Sequence, residues 1–236
     1  MKKYELTSNT KEFSGHKLFQ IRALISFDDV KAGDLGGYIE KEENLSHNGN
    51  AWIYNNVLVY DNAKVFGDAH IYDNALIYSN SRVFGSAKVY GHAWICGNAL
   101  VYDNAKIYDD AQIYDNVQIY DNAEIYDDVQ VYGSARVFGN AQVLGNVRVC
   151  DSSQIYNDAL ICDSADYICF RGFGSKNRNT TMFRTRTGNI IVKCGCFTGN
   201  LKEFLEKLKE THNNTKYAKE YLACIEVAKI HFEIDD

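Results

Sequence analysis

The chain of 236 residues, 46% of them hydrophobic, is long enough for one or two packed domains and too apolar for a disordered tail. A net charge of −6 and a pI near 5.5 leave no global basic field for nucleic acid or an anionic lipid surface. Seven cysteines without a framework suit a reducing compartment, and no apolar run nears the roughly 20 residues of a bilayer span, so a cytoplasmic protein is expected.

The opening "MKKYELTSNTKEF" has two lysines with no apolar run behind them and reads as no secretory signal. "KLFQIRALISF" (17–27) alternates and predicts a strand, and "AGDLGGYI" (32–39) predicts a glycine turn leading into the first coil of a repeat. Residues 1–50 are therefore read as a β cap.

From Ala51 to Ser164 the chain repeats every six residues, in 19 hexads without insertion or deletion. The consensus is A-x-[IV]-[YF]-[DG]-[ND]; the third place is Ile or Val in all 19, the first is Ala in 13, and the fourth is Tyr in 12. Side chains alternate along a strand, so places one and three share an inward face where Ala and Ile or Val pack closely. Asp, Gly and Asn at places five and six tolerate the left-handed backbone of a turn. Short strand and turn in strict succession predict a parallel β-helix over 51–165, and the total absence of proline fits a chain whose amides nearly all join ladders.

This pattern resembles the hexapeptide-repeat family. The resemblance implies a left-handed β-helix of triangular coils with three hexads each, hence about six coils and a prism on the order of 30 Å long. The stretch "FDDVKAGDLGGYIEKEENLSHNGNAWIY" (27–54) is similar to the YdcK-like branch of that family. Many members are acyltransferases, which implies trimers with acyl-donor clefts between prisms and a catalytic histidine. The prism offers His70, expected outward one coil below Lys88, and His92 at a turn place between Asn74 and Asp110. The unbroken hexads lack the family's protruding loop, so a non-enzymatic role is expected. A zinc-dependent carbonic anhydrase of related architecture would need three converging histidines.

Residues 18 apart should stack, which sorts the outward side chains into three columns. The third column holds every Phe of the repeat (Phe66, Phe84, Phe138), and the second sets Leu58, Leu76 and Trp94 at place two beside Tyr60 and Tyr78. Both are candidate oligomer interfaces, although the Leu-rich patch could equally lie beneath the N-terminal cap. Aromatic columns also stabilise strands by stacking alone.

Residues 166–236 break the repeat and predict a small α+β module. "DYICFRGF" and "TTMFRTRTGNIIVKCGCF" read as strands with a hairpin turn at Thr187-Gly188-Asn189. Two helices follow, one burying Leu201, Phe204, Leu205 and Leu208, the other Ala218, Tyr221, Leu222, Ile225 and Ala228. Arg171, Lys176, Arg178, Arg184 and Arg186 form a basic stretch, a candidate site for a phosphate-bearing ligand or an acidic partner protein; the alternative is that it packs on the acidic prism. Cys194 and Cys196, on one strand with thiols to the same side, would with Cys169, Cys224 and His212 supply zinc-ligand types, but the weak spacing predicts ordinary core thiols. The acidic turns from Asp103 to Asp128 are read as turn residues rather than a cation site.

The expectation is a mainly β, oligomeric binding or scaffold protein, a trimer by family resemblance, without cofactor or metal. Its plan also resembles proteins encoded by phages and prophages, which would make a host protein or a nucleotide signal the target. Acyl transfer and a filament-forming scaffold, as in the bactofilins, are the alternatives.

Overall fold

The computed structural model describes residues 2–234. Within each hexad only places two and three form a strand before the chain turns a corner. The 19 two-residue strands from β4 (Trp52–Ile53) to β22 (Leu160–Ile161) are dealt in turn to three parallel sheets. Lys88–Val89, for example, pairs with His70–Ile71 on one side and Lys106–Ile107 on the other, 18 residues away in each direction. Three hexads thus make one coil of a left-handed parallel β-helix. First- and third-place side chains are buried along the whole stack and form one continuous core.

The corners explain the fifth and sixth places. Every fifth-place residue from Asn55 to Asn157 has a positive φ, where Asp, Asn and Gly are least strained. The Asp carboxylates then accept the amide one coil on: Asp73 from Gly91 at 3.0 Å, Asp121 from Gly139 at 3.1 Å, Asp127 from Gly145 at 2.8 Å. Sixth-place asparagines form amide ladders, as from Asn62 through Asn80 and Asn98 to Asn116 at 3.0–3.3 Å. The aromatic rings stack too. Tyr54, Tyr72, Tyr90, Tyr108 and Tyr126 lie 4.4–5.0 Å apart and nearly coplanar, and the third column runs unbroken from Phe66 to Tyr156.

The N-terminal segment extends one of the three sheets. Strand β1 (Tyr4–Phe13) pairs antiparallel with β2 (His16–Ala23), and β2 with β3 (Leu35–Ile39). On its other edge β3 runs parallel to Leu58–Val59, and Leu45 bridges Val65, so coiling starts ahead of the first hexad. The stack has about seven turns, one more than the 19 hexads supply. Gly36 permits this junction: a Cβ there would lie 2.6 Å from the Ile53 carbonyl oxygen and 2.7 Å from the Ile21 side chain. Tyr4 fills the open end, donating to the Leu45 carbonyl at 2.7 Å, while Lys3 donates to Ala51 at 2.7 Å and Gly49 at 3.2 Å.

At the far end sits an antiparallel sheet of β23 (Tyr167–Phe173), β24 (Arg178–Arg184), β25 (Ile190–Cys194) and β26 (Phe197–Asn200). Helices α1 (Leu201–His212) and α2 (Lys216–His231) pack on it through Phe204, Leu208, Tyr221 and Ile225, against Met182 and Val192. Asn200 and Glu203 form a capping box at the start of α1, and Thr215 caps α2. Leu222, expected on the buried face of α2, is 43% exposed instead, because the helix buries the stripe through Tyr221, Cys224, Ile225 and Ala228. Phe183 plugs the last coil, edge-on to Tyr156 at 5.3 Å, and the Thr185 backbone bridges Ala159.

Candidate functional site

The five basic residues do not all lie together. Arg171 extends from β23 to the prism carboxylate Asp151, at 2.6 Å. Arg184 is half-buried, bonded through Nε to Asp166 at 3.1 Å and through a terminal nitrogen to the Phe232 carbonyl at 3.1 Å. These two fasten the module to the stack and to its own C-terminal helix. Arg186 is exposed on the β24–β25 turn, where its backbone amide bonds Asp158.

Lys176 and Arg178 meet at one cavity, and Arg178 also lines a shallower depression with Arg171 and Lys193. Lys176 and Arg178 both leave the β23–β24 turn, and Arg178 lies across Gly195, where a Cβ would be 2.8 Å from its Cδ. With Lys207 and His212 from α1 they rim a cavity of about 320 Å³ whose floor includes Phe197, Phe204, Leu208 and Tyr221. Lys207 reaches Glu210 at 3.0 Å. Among the described residues no carboxylate lies within ion-pair distance of Lys176 or Arg178. A cationic rim over an aromatic floor suits an acidic ligand with an apolar body. The basic stretch was visible in sequence, and His212 stood out there only as a metal-ligand type; Lys207 was missed, because helix spacing alone does not show which turn it faces.

The cysteines do not gather. Cys194 ends β25 while Cys196 lies with Gly195 in the two-residue turn before β26, so the two do not share one strand. Cys194 is buried and donates to the Tyr221 hydroxyl at 3.4 Å, while Cys196 is exposed. Burial pushes the Cys224 thiol up to about 11. Among the described residues, two clusters of three ligand types come within metal reach, His16–Glu40–Asp61 and Asp28–Asp29–His70, and neither contains a cysteine.

His70 stacks on Lys88 as the register requires, yet it is only 6% exposed, because residues 28–29 fold over it. Its Nε2 faces the Asn50 carbonyl at 3.1 Å and Asp28 at 3.4 Å, and its Nδ1 the Tyr72 hydroxyl at 3.1 Å. Both nitrogens are thus engaged within the chain. His92 is exposed in its turn. The acidic turns spend their carboxylates on backbone amides, as Asp109 does on Asp127 and Asp115 on Gly133.

Of the outward apolar residues, Leu58 is 2% exposed beneath the N-terminal hairpin, packed with Leu18 and Tyr60; Leu76 borders that cluster. Trp94, one coil further, is 47% exposed. Phe66, Phe84 and Phe138 are half-buried within their own ladder. No helix among the described residues is long and apolar enough to cross a membrane.

The stack of six-residue repeats, closed at each end by the chain's own segments, is a parallel β-solenoid. No family model matches the chain. It is 43% identical over 63 residues to the Uncharacterized acetyltransferase YdcK of Escherichia coli (strain K12), a match covering 23% of this chain and 19% of the relative.

Proposed function

We propose that the protein is a non-enzymatic binding protein whose C-terminal module takes an acidic, phosphate-bearing ligand or partner in the cavity beneath Lys176 and Arg178. The observation that carries this reading is the convergence of those two cations, free of carboxylates among the described residues, over a cavity of about 320 Å³. For a phage-encoded chain the target would be a nucleotide signal or the acidic face of a host protein. Titration calorimetry against a panel of mono- and dinucleotides and acyl-CoA tests it. Lys176→Glu with Arg178→Glu is expected to weaken binding at least tenfold while circular dichroism is unchanged; wild-type protein that binds none of the panel, or a variant that binds equally well, would sink the proposal. Arg184 is unsuited to this test, since it holds Asp166 and Phe232. The assembly that accompanies this reading is a homotrimer through the third face, which sedimentation would count.

Acyl transfer is the second reading, favoured by the partial similarity to a protein named as an acetyltransferase. It requires turnover of acetyl-CoA that disappears in His92→Ala or His70→Ala. The filament reading has less support, because Tyr4 covers one end of the stack and Phe183 the other.

A further inference from the structure

The outward column of the second sheet is the one whose aromatic ladder is interrupted between rings. Tyr60 stacks on Tyr78 and Tyr114 on Tyr132, each pair at 5.2 Å with planes within 4°. Between those pairs stands Cys96, where the first and third columns have rings in unbroken succession across the same coils. Tyr78 and Tyr114 are two coils apart, about 10 Å at the spacing of neighbouring strands. A thiol occupies only part of the space a ring would take. What remains is an indentation of about 340 Å³, lined by Tyr78, Trp94, Cys96, Gln112, Tyr114 and Asp115.

Both ends of this face are covered from within the chain. On one side of the gap the N-terminal hairpin covers Leu58 and Tyr60. On the other, where Cys150 again replaces a ring, Tyr167 of the C-terminal module brings its hydroxyl to 3.8 Å from the sulfur. The gap at Cys96 receives no such cover, and the indole of Trp94 stands exposed beside it.

We propose that this gap is a binding slot for a planar heteroaromatic ring of a small molecule, which takes the place of the missing rung between Tyr78 and Tyr114. Stacked there, the ring makes on each face the offset contact that the protein makes with itself along its other columns. Gln112 offers an amide at the rim and Asp115 a carboxylate, one oxygen of which accepts the Gly133 amide at 3.0 Å. Those groups select a ring that carries N–H donors, as purines and isoalloxazines do, over a plain hydrocarbon. No lysine or arginine lines the slot, so the ring itself, rather than a phosphate, is the element recognised. The site lies on the prism and stands apart from the C-terminal cavity.

Lumiflavin and adenosine, both uncharged, are the probes. Trp94 is the exposed member of the chain's two tryptophans, Trp52 being 1% exposed, so its fluorescence reports occupancy. Saturable quenching by at least one probe is expected for the wild type. Cys96→Tyr supplies the missing ring from within, and should weaken binding at least tenfold while the melting temperature holds or rises. Cys96→Ser keeps the slot open and should bind within about twofold of wild type. The idea is overturned if neither probe saturates, if Cys96→Tyr folds and binds as the wild type does, or if Cys96→Ser loses binding along with it.

Discussion

Asp121 shows how much one residue of the hexad has to do. It holds a φ of 58°, turns the corner, and receives the Gly139 amide on its carboxylate at 3.1 Å. A charged acceptor on a backbone donor contributes on the order of 1–2 kcal/mol when half-exposed, and a left-handed Ala is further disfavoured. Asp121→Ala is therefore expected to lower stability by about 1–3 kcal/mol, measured as a shift of the urea midpoint at unchanged slope; a shift below about 0.5 kcal/mol would show the carboxylate to be idle. Turn chemistry was legible at this scale, because only Asp, Asn, Ser and Gly occupy the fifth place from Asn55 to Asp163. The carboxylate-to-amide link between coils was not, since it depends on the side-chain direction that a positive φ creates.

Among the elements, the N-terminal hairpin was the least legible. Strand β1 reads YELTSNTKEF, a polar run without clean alternation, and the exposed middle of that strand explains why. The hairpin is latched to the stack by His16, which lies 3.0 Å from Glu40 and 3.6 Å from Asp61, with its ring against Tyr60. The Glu40 hydrogen bond raises the His16 pKa, and the same bond lowers that of Glu40. A raised histidine contributes stability that is full below its ordinary value of about 6.5 and is lost as pH climbs through the folded value. A depressed glutamate contributes stability that is present above about 4.5 and is lost as pH falls through its folded value. The latch is thus strongest between those limits. The melting temperature of wild type should exceed that of His16→Asn most near pH 5–6, with the gap closing above pH 8; a gap constant across that range would remove the ionic latch. Leu58 belongs to this element as well: alternation showed it pointing outward, and of the two places left open to it the fold takes the one beneath the N-terminal cap.

For the whole molecule, parallel coiling and the position of the core followed from the six-residue period through strand alternation and corner chemistry, whereas three hexads per coil, and with them the three sheets and the 18-residue register, came from the resemblance to the hexapeptide-repeat family. The ends did not follow so readily. Lys3 and Tyr4 complete one end, and Phe183 the other, through contacts between residues more than 20 positions apart that no local pattern announces. The candidate cavity shows the same division. Lys176 and Arg178 stood out as charges, but Arg171 and Arg184 looked identical to them until their carboxylate partners, Asp151 and Asp166, were in view.

The 18-residue register also makes the stack a length standard with a built-in dial. Removing residues 105–122 deletes one whole coil, so the halves rejoin with Asn104 followed by Ala123 in the same hexad phase and on the same sheet. The distance between the two ends should then shrink by about 4.8 Å with no change of heading. Removing only residues 105–110 keeps the hexad phase but passes every later strand to the neighbouring sheet, swinging the C-terminal module by about a third of a revolution, by the strand spacing and three-sheet order. Paired spin labels on the hairpin and on α2 would separate the two cases: a small shortening for the first deletion, a large reorientation for the second. Length and bearing are thus independently adjustable in this architecture, by deletions of 18 and of six.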